Sequence, residues 1–270
     1  MMKRTRPLNN LSRLLATLLV VAVQAVLGTE SHAAGPSLSG FGTATVDGIL
    51  GSVEWAGAAR IPILVNLPEG GTASGDLLAM NDTENLYLAI RFSRTAADAG
   101  NSVAFEFDNN RNGVWLENGD DALVINPDLG LTDNFRTNKP PCPPGSPPGA
   151  CGLRDVDDGG SNDGAGAFLN DGNFTIYEFS HPLNSGDSGH DFALNLGDAI
   201  GFQASIRLIN GGVIADTNIP AGGLGEIVIA SPPVATAIPT LSEWSMVLLA
   251  GLLGLLGAGM LGRARNERRR

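Results

Sequence analysis

Histidine and cysteine are scarce in this chain, whose 270 residues include three histidines and two cysteines. A zinc-type site needs several such ligands at close spacing, and the sequence contains no cluster of them. It also contains no nucleophile motif and no glycine-rich phosphate-binding loop. Glu178 and His181 are near each other, but histidines placed like His181 and His190 are more often loop residues than ligands. We therefore expect a protein that is not an enzyme.

Basic residues are rare between residues 35 and 237, where 8 Lys and Arg stand against 25 Asp and Glu, a net charge of −17. The other nine basic residues lie near the two termini. Nucleic-acid binding requires clustered Lys and Arg, so this composition excludes it. The acidic body is typical of a solvated extracellular surface or of one that collects divalent cations.

The two cysteines, Cys142 and Cys151, flank a short segment that contains four prolines. A metal site would need further ligands, and no histidine or other cysteine is near in the sequence. In an exported protein an isolated, closely spaced pair indicates a disulfide. We expect the two Cα atoms to lie about 4.4–6.8 Å apart.

The N-terminus has the three parts of a secretory signal peptide. A basic region is followed by an apolar run of fifteen residues, 14–28, and then by Ser31-His32-Ala33. Small residues at the −3 and −1 positions predict cleavage after Ala33. Residues 1–33 are accordingly predicted to be removed on export.

An uncharged apolar run covers residues 245–262 near the C-terminus, and five arginines follow it. As a helix its eighteen residues would extend roughly 27 Å, enough to cross a thin bilayer. The positive-inside rule would keep the arginine-rich end in the cytoplasm and the rest of the chain outside. The run is therefore predicted to be a transmembrane helix.

A polar heptad stands directly before this run: Ile238-Pro239-Thr240-Leu241-Ser242-Glu243-Trp244. Heptad, span and arginines together resemble the IPTL-type C-terminal sorting signals (IPTL-CTERM), relatives of the PEP-CTERM signals that bacterial exosortases recognise. The resemblance covers residues 238–270. It implies a precursor held in the inner membrane until an exosortase-like enzyme processes it. An ordinary membrane anchor would explain the span and the arginines but not the heptad.

The body between the two signals consists of short β-type segments separated by Gly, Asn, Asp and Pro, and several alternate apolar and polar residues. Such spacing predicts an all-β antiparallel sandwich over residues 40–230. Residues 137–173 read as a long loop, and residues 231–237 as a linker to the sorting signal. The clearest strand segments are 61–67, 77–81, 86–92, 103–108, 122–126, 174–179, 200–209 and 226–230.

Four pieces of the body resemble the family 9-like carbohydrate-binding modules, which are related to DOMON domains. They are Val46-Asp47-Gly48 with Glu54-Trp55, Asn81-Asp82 leading into 85–90, the strand 105–110, and 174–179 with Pro182-Leu183. The resemblance covers roughly residues 45–210. It implies a β-sandwich with bound calcium and, in some members, a sugar site between aromatic rings.

The segment 108–113 (Asp-Asn-Asn-Arg-Asn-Gly) matches the first half of an EF-hand-type calcium loop, with oxygen ligands at positions 1, 3 and 5 and Gly at 6. The twelfth position is Gly119 instead of Glu, so nearby carboxylates would have to complete the shell. The alternative is an Asx-rich hairpin turn without metal. The predicted calcium ligands are Asp108, Asn110, Asn112, Glu117, Asp120 and Asp121. A second acidic cluster comprises Asp155, Asp157, Asp158 and Asp163.

A sugar site needs a flat aromatic face with polar neighbours, and the body offers few large amphipathic rings. Trp55 belongs to the Glu-Trp motif and is expected in the core. The candidate glycan-binding residues are Tyr87, Arg91, Trp115 and Arg207, although the strand residues among them also fit an ordinary solvated face.

These observations predict an exported cell-envelope or extracellular-matrix protein with a structural or adhesive role. Its expected partners are an exosortase-like processing enzyme, the membrane and a polysaccharide. The alternative is a calcium-dependent carbohydrate-binding module that recognises exopolysaccharide or a cell-surface glycan.

Overall fold

The computed structural model describes residues 37–38, 40–94, 100–234 and 245–255. Within these residues the chain forms thirteen strands, two short 3-10 helices (Glu54–Gly57 and Asp155–Asp157) and a helix over residues 245–255. The strands are β1 (Ser37–Leu38), β2 (Ala59–Asn66), β3 (Thr72–Asn81), β4 (Asn85–Phe92), β5 (Ser102–Asp108), β6 (Asp121–Asn126), β7 (Gly130–Thr137), β8 (Cys151–Arg154), β9 (Ala165–Asn170), β10 (Thr175–Pro182), β11 (Ala199–Asn210), β12 (Val213–Ile219) and β13 (Gly225–Val228).

The strands form two sheets. Sheet 1 has the order β1-β13-β11-β5-β6-β7-β8, and β12 also pairs with β11; sheet 2 has the order β2-β3-β4-β10-β9. The long strand β11 pairs with β5 along one edge and with β13 and then β12 along the other. Among the described pairs of strands, only β1 with β13 is parallel. The predicted antiparallel β-sandwich is therefore confirmed.

The core between the sheets follows the alternation of the sequence. In β4 the inward residues Leu86, Leu88, Ile90 and Phe92 are each at most 1% exposed, as period-two patterning requires. Residues of both sheets belong to this one core. Phe105 of β5 and Phe179 of β10, for example, meet edge to face with their ring centroids 5.1 Å apart.

A second apolar layer covers the outer face of sheet 2, where Trp55 and Tyr87 pack in one buried cluster. The fully buried carboxylate of Glu178 accepts the backbone N–H groups of Asp47 and Gly48 at 3.0 and 2.6 Å, and the Trp55 indole N–H at 3.0 Å. Burial raises the pKa of Glu178, although these three donors oppose the shift. Two sequence pieces of the family 9 resemblance thus meet at one residue, and Trp55 is a core residue as expected.

The segment 137–173, predicted as a loop, contains the short strands β8 and β9. This part of the prediction was wrong because both strands are short and none of their residues is fully buried. Such strands carry almost no periodic signal, and their pairing with β7 and β10 defines them.

The chain divides into two units, residues 1–232 and residues 233–270. Of the predicted span, residues 245–255 are helical, and residues 256–262 lie outside the described part. Among the described helices, none has both the length and the apolar character needed to cross a membrane. The predicted signal peptide with its cleavage site at Ala33 and the heptad 238–244 also lie outside the described residues.

Candidate metal centre and surface groove

The predicted calcium loop after β5 is closed by its own backbone. The Asp108 carboxylate accepts the N–H groups of Asn112 and Gly113 at 3.2 and 2.7 Å, and the Asn112 carboxamide oxygen accepts the N–H of Val114 at 2.7 Å. The Asn112 bond is an Asx-turn bond, and together with the two Asp108 bonds it holds the tight turn.

Two further oxygens of the loop are engaged within it, whereas Asp120 Oδ1 is buried without a hydrogen-bond partner. Glu117 Oε2 accepts the side-chain amides of Asn110 and Asn112, and Asp120 Oδ2 accepts the Glu117 backbone N–H at 2.8 Å. Burial, with the nearby charges of Asp108 and Glu117, raises the pKa of Asp120 to about 6. The sixth predicted ligand, Asp121, points away from the loop into the sandwich, so the structure does not bring the six residues together.

Asp121 instead joins a buried cluster with Asp133, His181 and Asp191. One ligand atom from each of the four lies within 4.8 Å of the others. The side chains of Asp133 and His181 are 0% exposed, and that of Asp191 is 1% exposed. We call these four residues the histidine set.

The strand pattern explains why these groups converge. On β6, Asp121 shares the inward face with Leu123, and on β7, Asp133 lies opposite Leu123 in the register. On β10, the alternation that buries Tyr177 and Phe179 between the sheets also turns His181 inward. The ligand set therefore spans the gap between sheet 1 and sheet 2.

The imidazole of His181 has two different surroundings. Nδ1 lies 2.8 Å from the carbonyl oxygen of Pro182, while Nε2 lies 3.3 Å from Asp191 and 3.6 Å from Asp133 without hydrogen-bond geometry to either. Burial lowers the pKa of His181, but the two carboxylates outweigh it and raise the pKa to about 10. Burial also raises the pKa of Asp121 well above its ordinary value.

A second set of ligands, Asp155, Asp187 and Asp191, shares Asp191 with the first. We call it the oxygen set. Asp155 is fully buried, and both of its carboxylate oxygens lack a hydrogen-bond donor. Burial and the neighbouring Asp133 and Asp191 raise its pKa to about 8. So many buried, unpaired carboxylate oxygens fit a divalent cation.

The other members of the predicted second cluster have different partners. Asp157 pairs with Arg154 at 2.9 Å, and Asp158 pairs with Lys139. Asp163 accepts the Ser161 hydroxyl through its side chain and reaches the centre only by donating its backbone N–H to Asp133 at 3.0 Å. The predicted calcium loop thus contributes one ligand, Asp121, to the histidine set. The predicted second cluster contributes one ligand, Asp155, to the oxygen set.

The predicted disulfide is confirmed: Cys142 and Cys151 are bonded, with Cα atoms 5.9 Å apart. The loop that it closes supports the segment after the Asp108 turn. The backbone N–H of Gly149 donates to Asn118 Oδ1 at 2.8 Å. At Gly149 φ is +69°, and a Cβ there would lie 1.7 Å from the carbonyl oxygen of Leu116. Leu116 itself has φ 64°, a conformation that bulky residues avoid.

A groove of about 800 Å³ opens at the end of sheet 1 where β5 ends and β11 and β13 begin. The half-buried Trp115 lines it next to the strained Leu116. Arg111 also lines the groove, and its guanidinium lies 3.3 Å from Asp198 Oδ2. The opposite side includes Leu224 and Glu226.

The other candidate glycan residues do not join Trp115 on one surface. Tyr87 is 6% exposed, and its hydroxyl donates to Asp82 at 2.8 Å; burial and this carboxylate raise its pKa to about 12. Arg91 pairs with Asp76 at 2.8 Å and lies over the Phe174 ring on sheet 2. Arg207 lies on sheet 1 and pairs with Asp216. Tyr87 is therefore a core residue, and both arginines already have partners.

Comparison with known proteins supports both halves of the sequence analysis. Residues 236–270 match the IPTL-CTERM motif. The suspected sorting signal is thereby identified, and it occupies only the tail of the chain. No curated protein matches the chain.

The fold resembles solved carbohydrate binding modules of family 9 (CBM9) from Caldicellulosiruptor kristjanssonii. The module in complex with cellotriose is 13% identical, with a TM-score of 0.51, over 76% of this chain and 98% of that one. The module in complex with glucose is 14% identical, with a TM-score of 0.50, over 75% of this chain and 100% of that one. At such identities the likeness shows the fold alone.

Proposed function

We propose that this chain is an exported, non-catalytic carbohydrate-binding protein that an exosortase-like system processes and displays at the cell surface or in the extracellular matrix. The IPTL-CTERM motif supports the sorting step, and the family 9 fold supports the binding role. Its task there is structural or adhesive, because it attaches the displayed protein to polysaccharide.

The groove beside Trp115 is the observation that carries the binding role. It combines an aromatic ring with the charged and amide groups of Arg111, Asn112 and Glu226 in a space large enough for sugar residues. With 8 basic residues against 25 acidic ones between residues 35 and 237, the body repels anionic polymers. A neutral glycan therefore fits better than an acidic one.

Calcium belongs to this proposal as a structural ion. The oxygen set of Asp155, Asp187 and Asp191 offers only carboxylate ligands, which Ca²⁺ prefers. An ion there would tie the loop after β8 to the loop between β10 and β11. The ion would stabilise the fold and would have no catalytic role.

Titration calorimetry with cellotriose, and affinity electrophoresis in a neutral soluble β-glucan and in polysaccharide purified from the native host, test the binding role. We expect the full chain to bind at least one of these glycans, and Trp115→Ala to weaken that binding about tenfold or more, since a ring face is lost. Arg207→Ala is the matched control, because Arg207 lies away from the groove on β11.

Failure of the wild-type chain to bind any of these glycans would overturn the carbohydrate role. Equal affinity of the wild type and Trp115→Ala for the glycan would show that the glycan does not bind in the groove.

The sorting step has a separate test in the native host. Replacing Pro239, Glu243 and Trp244 leaves the apolar run and the arginines intact, so a plain anchor would behave as before. We expect the variant to remain full length in the membrane fraction, while mass analysis of the wild type shows a shorter form lacking the residues after the heptad. An intact tail on both proteins would contradict processing.

A further inference from the structure

The histidine set carries a chemical signature that differs from that of the oxygen set. Its members are Asp121 and Asp133 from sheet 1, His181 from sheet 2, and Asp191 from the following loop. We propose that these four side chains bind a divalent transition-metal ion of the Zn²⁺ or Mn²⁺ kind, next to the all-oxygen set that shares Asp191.

The unpaired atoms of the set indicate that a cation belongs there. Both oxygens of Asp121, both oxygens of Asp191, one oxygen of Asp133 and Nε2 of His181 are buried without a hydrogen-bond partner. A buried polar group left unpaired costs about 1–3 kcal/mol, and native structures keep few of them. One ion at the centre of the four side chains would satisfy these atoms together.

The imidazole decides the class of ion. Calcium takes oxygen ligands almost exclusively, whereas imidazole nitrogen suits transition metals such as zinc. His181 is oriented as such a ligand: with Nδ1 2.8 Å from the carbonyl of Pro182, that nitrogen carries a hydrogen, and Nε2, which faces the carboxylates, is the nitrogen that would give up its proton to bind the ion. Metal-bound histidines commonly have this kind of carbonyl partner on the other nitrogen.

The spacing of the ligand atoms is also that of a small ion. With bonds of about 2.0–2.2 Å, neighbouring ligands of a tetrahedral zinc ion lie roughly 3.3–3.6 Å apart. Nε2 of His181 lies 3.3 Å from Asp191 and 3.6 Å from Asp133. One ligand atom from each of the four lies within 4.8 Å of the others, so the side chains would have to draw together to close on the ion.

Such a site is structural in kind. The side chains of His181 and Asp133 are completely buried, so substrate has no route to an open coordination position. The ion would link β6 and β7 of sheet 1 to β10 of sheet 2 from inside the sandwich. Asp191 would bridge it to the Ca²⁺ of the oxygen set, so that two ions of different kinds bind per chain.

The test uses the full chain, stripped of metal with a chelator and then saturated with Ca²⁺. We expect added Zn²⁺ or Mn²⁺ to raise the melting temperature further and calorimetry to give one additional ion per chain. Pulsed electron paramagnetic resonance of the Mn²⁺-loaded wild type should show coupling to one imidazole ¹⁴N. This measurement needs no variant, so it holds even if substitution of His181 prevents folding.

His181→Gln should weaken Zn²⁺ and Mn²⁺ binding at least about 10–100-fold, the range known for loss of an outer-shell partner, while Ca²⁺ binding stays. His190→Gln is the matched control, because His190 pairs with Asp158 and Asp187 and lies outside the histidine set. The proposal is overturned if Ca²⁺ excludes the second ion, if the Mn²⁺ spectrum lacks nitrogen coupling, or if both variants bind the transition ion equally.

Discussion

Two acidic regions meet at the peptide bond between Asp120 and Asp121, and they use their carboxylates in opposite ways. In the turn after β5, each oxygen of Asp108 has its own backbone donor. In the buried cluster, neither oxygen of Asp121 has one. Both regions are rich in the residues that bind calcium, so composition does not distinguish a turn from a metal site. We propose that the donors supplied by the local backbone make the distinction.

The difference follows from the pleat of β6. Successive residues of a strand point to opposite faces, so Asp120 faces the turn and Asp121 faces the interior. A carboxylate beside a tight turn finds N–H groups within a few residues. One at the inward end of a strand meets only groups from distant parts of the chain, which here are other carboxylates and His181.

The variants Asp121→Asn and Asp108→Asn compare the two regions directly. We expect the largest effect of all here, on the rise in Tm that metal produces. Saturating metal should stabilise the wild type by about 2.7 kcal/mol at a hundredfold excess over Kd, and hence raise Tm by several degrees. Asp121→Asn should lose most of that rise, because it removes a ligand. Asp108→Asn should keep it. Thermal melts with and without chelator measure both, and the reverse order would refute our assignment of the metal site.

The pH dependence of the metal-free chain gives a second comparison. Between pH 5 and 8 the folded state binds more protons than the unfolded state, since the folded-state pKa values of Asp120, Asp155 and His181 are raised to about 6, 8 and 10. The free energy of unfolding should therefore fall as pH rises across this range.

Metal reverses the sign of this dependence, because it displaces the protons of the cluster and binds better as pH rises. Urea unfolding at pH 5 and at pH 8, each in chelator and in excess metal, measures the free energy of unfolding under these four conditions. A metal-free chain that is more stable at pH 8 than at pH 5 would show that the buried carboxylates are compensated in another way.

Substitution of Gly149 or Gly145 in the disulfide loop should have the smallest effect on the metal-dependent rise in Tm. It tests whether the loop and the buried cluster act independently. Both Gly149 and Gly145 have positive φ, but only at Gly149 would a Cβ meet backbone, the carbonyl of Leu116. Gly149→Ala should cost more stability than Gly145→Ala and weaken glycan binding, because it displaces the neighbour of Trp115. The metal-dependent rise in Tm should be the same in both variants, and its loss in Gly149→Ala would show that the two regions are coupled.

Much of the fold could be predicted from the sequence, because apolar alternation in β4, β5 and β11 directly encodes which face is buried. The strands β8 and β9 escaped prediction since pairing, and not hydrophobicity, defines them. Of the candidate metal ligands, Asp121 and Asp155 were predicted from the sequence as members of acidic runs. His181 was missed because isolated histidines are more often loop residues than ligands. Its position two residues after Phe179, however, already placed it on the inward face of the strand.

Asp133, Asp187 and Asp191 could not be foreseen in the same way. They belong to none of the motifs that the sequence analysis singled out, and only the register of β6 with β7 and the course of the loop after β10 bring them to the other ligands. The candidate glycan residues show the same limit, since period two gives the face of a strand but not what covers that face. Tyr87 lies under the segment that carries Trp55.

The loop between Cys142 and Cys151 has a consequence for when the protein becomes competent to bind. Its disulfide is stable only in an oxidising compartment, outside the reducing cytoplasm. Gly149 in that loop holds Asn118 and abuts the backbone of Leu116, next to the ring that lines the groove. A precursor that is still in the cytoplasm lacks this support. On the proposed function, oxidation after export would act as a maturation step, and the groove would acquire its final shape only in the compartment where the glycan is bound.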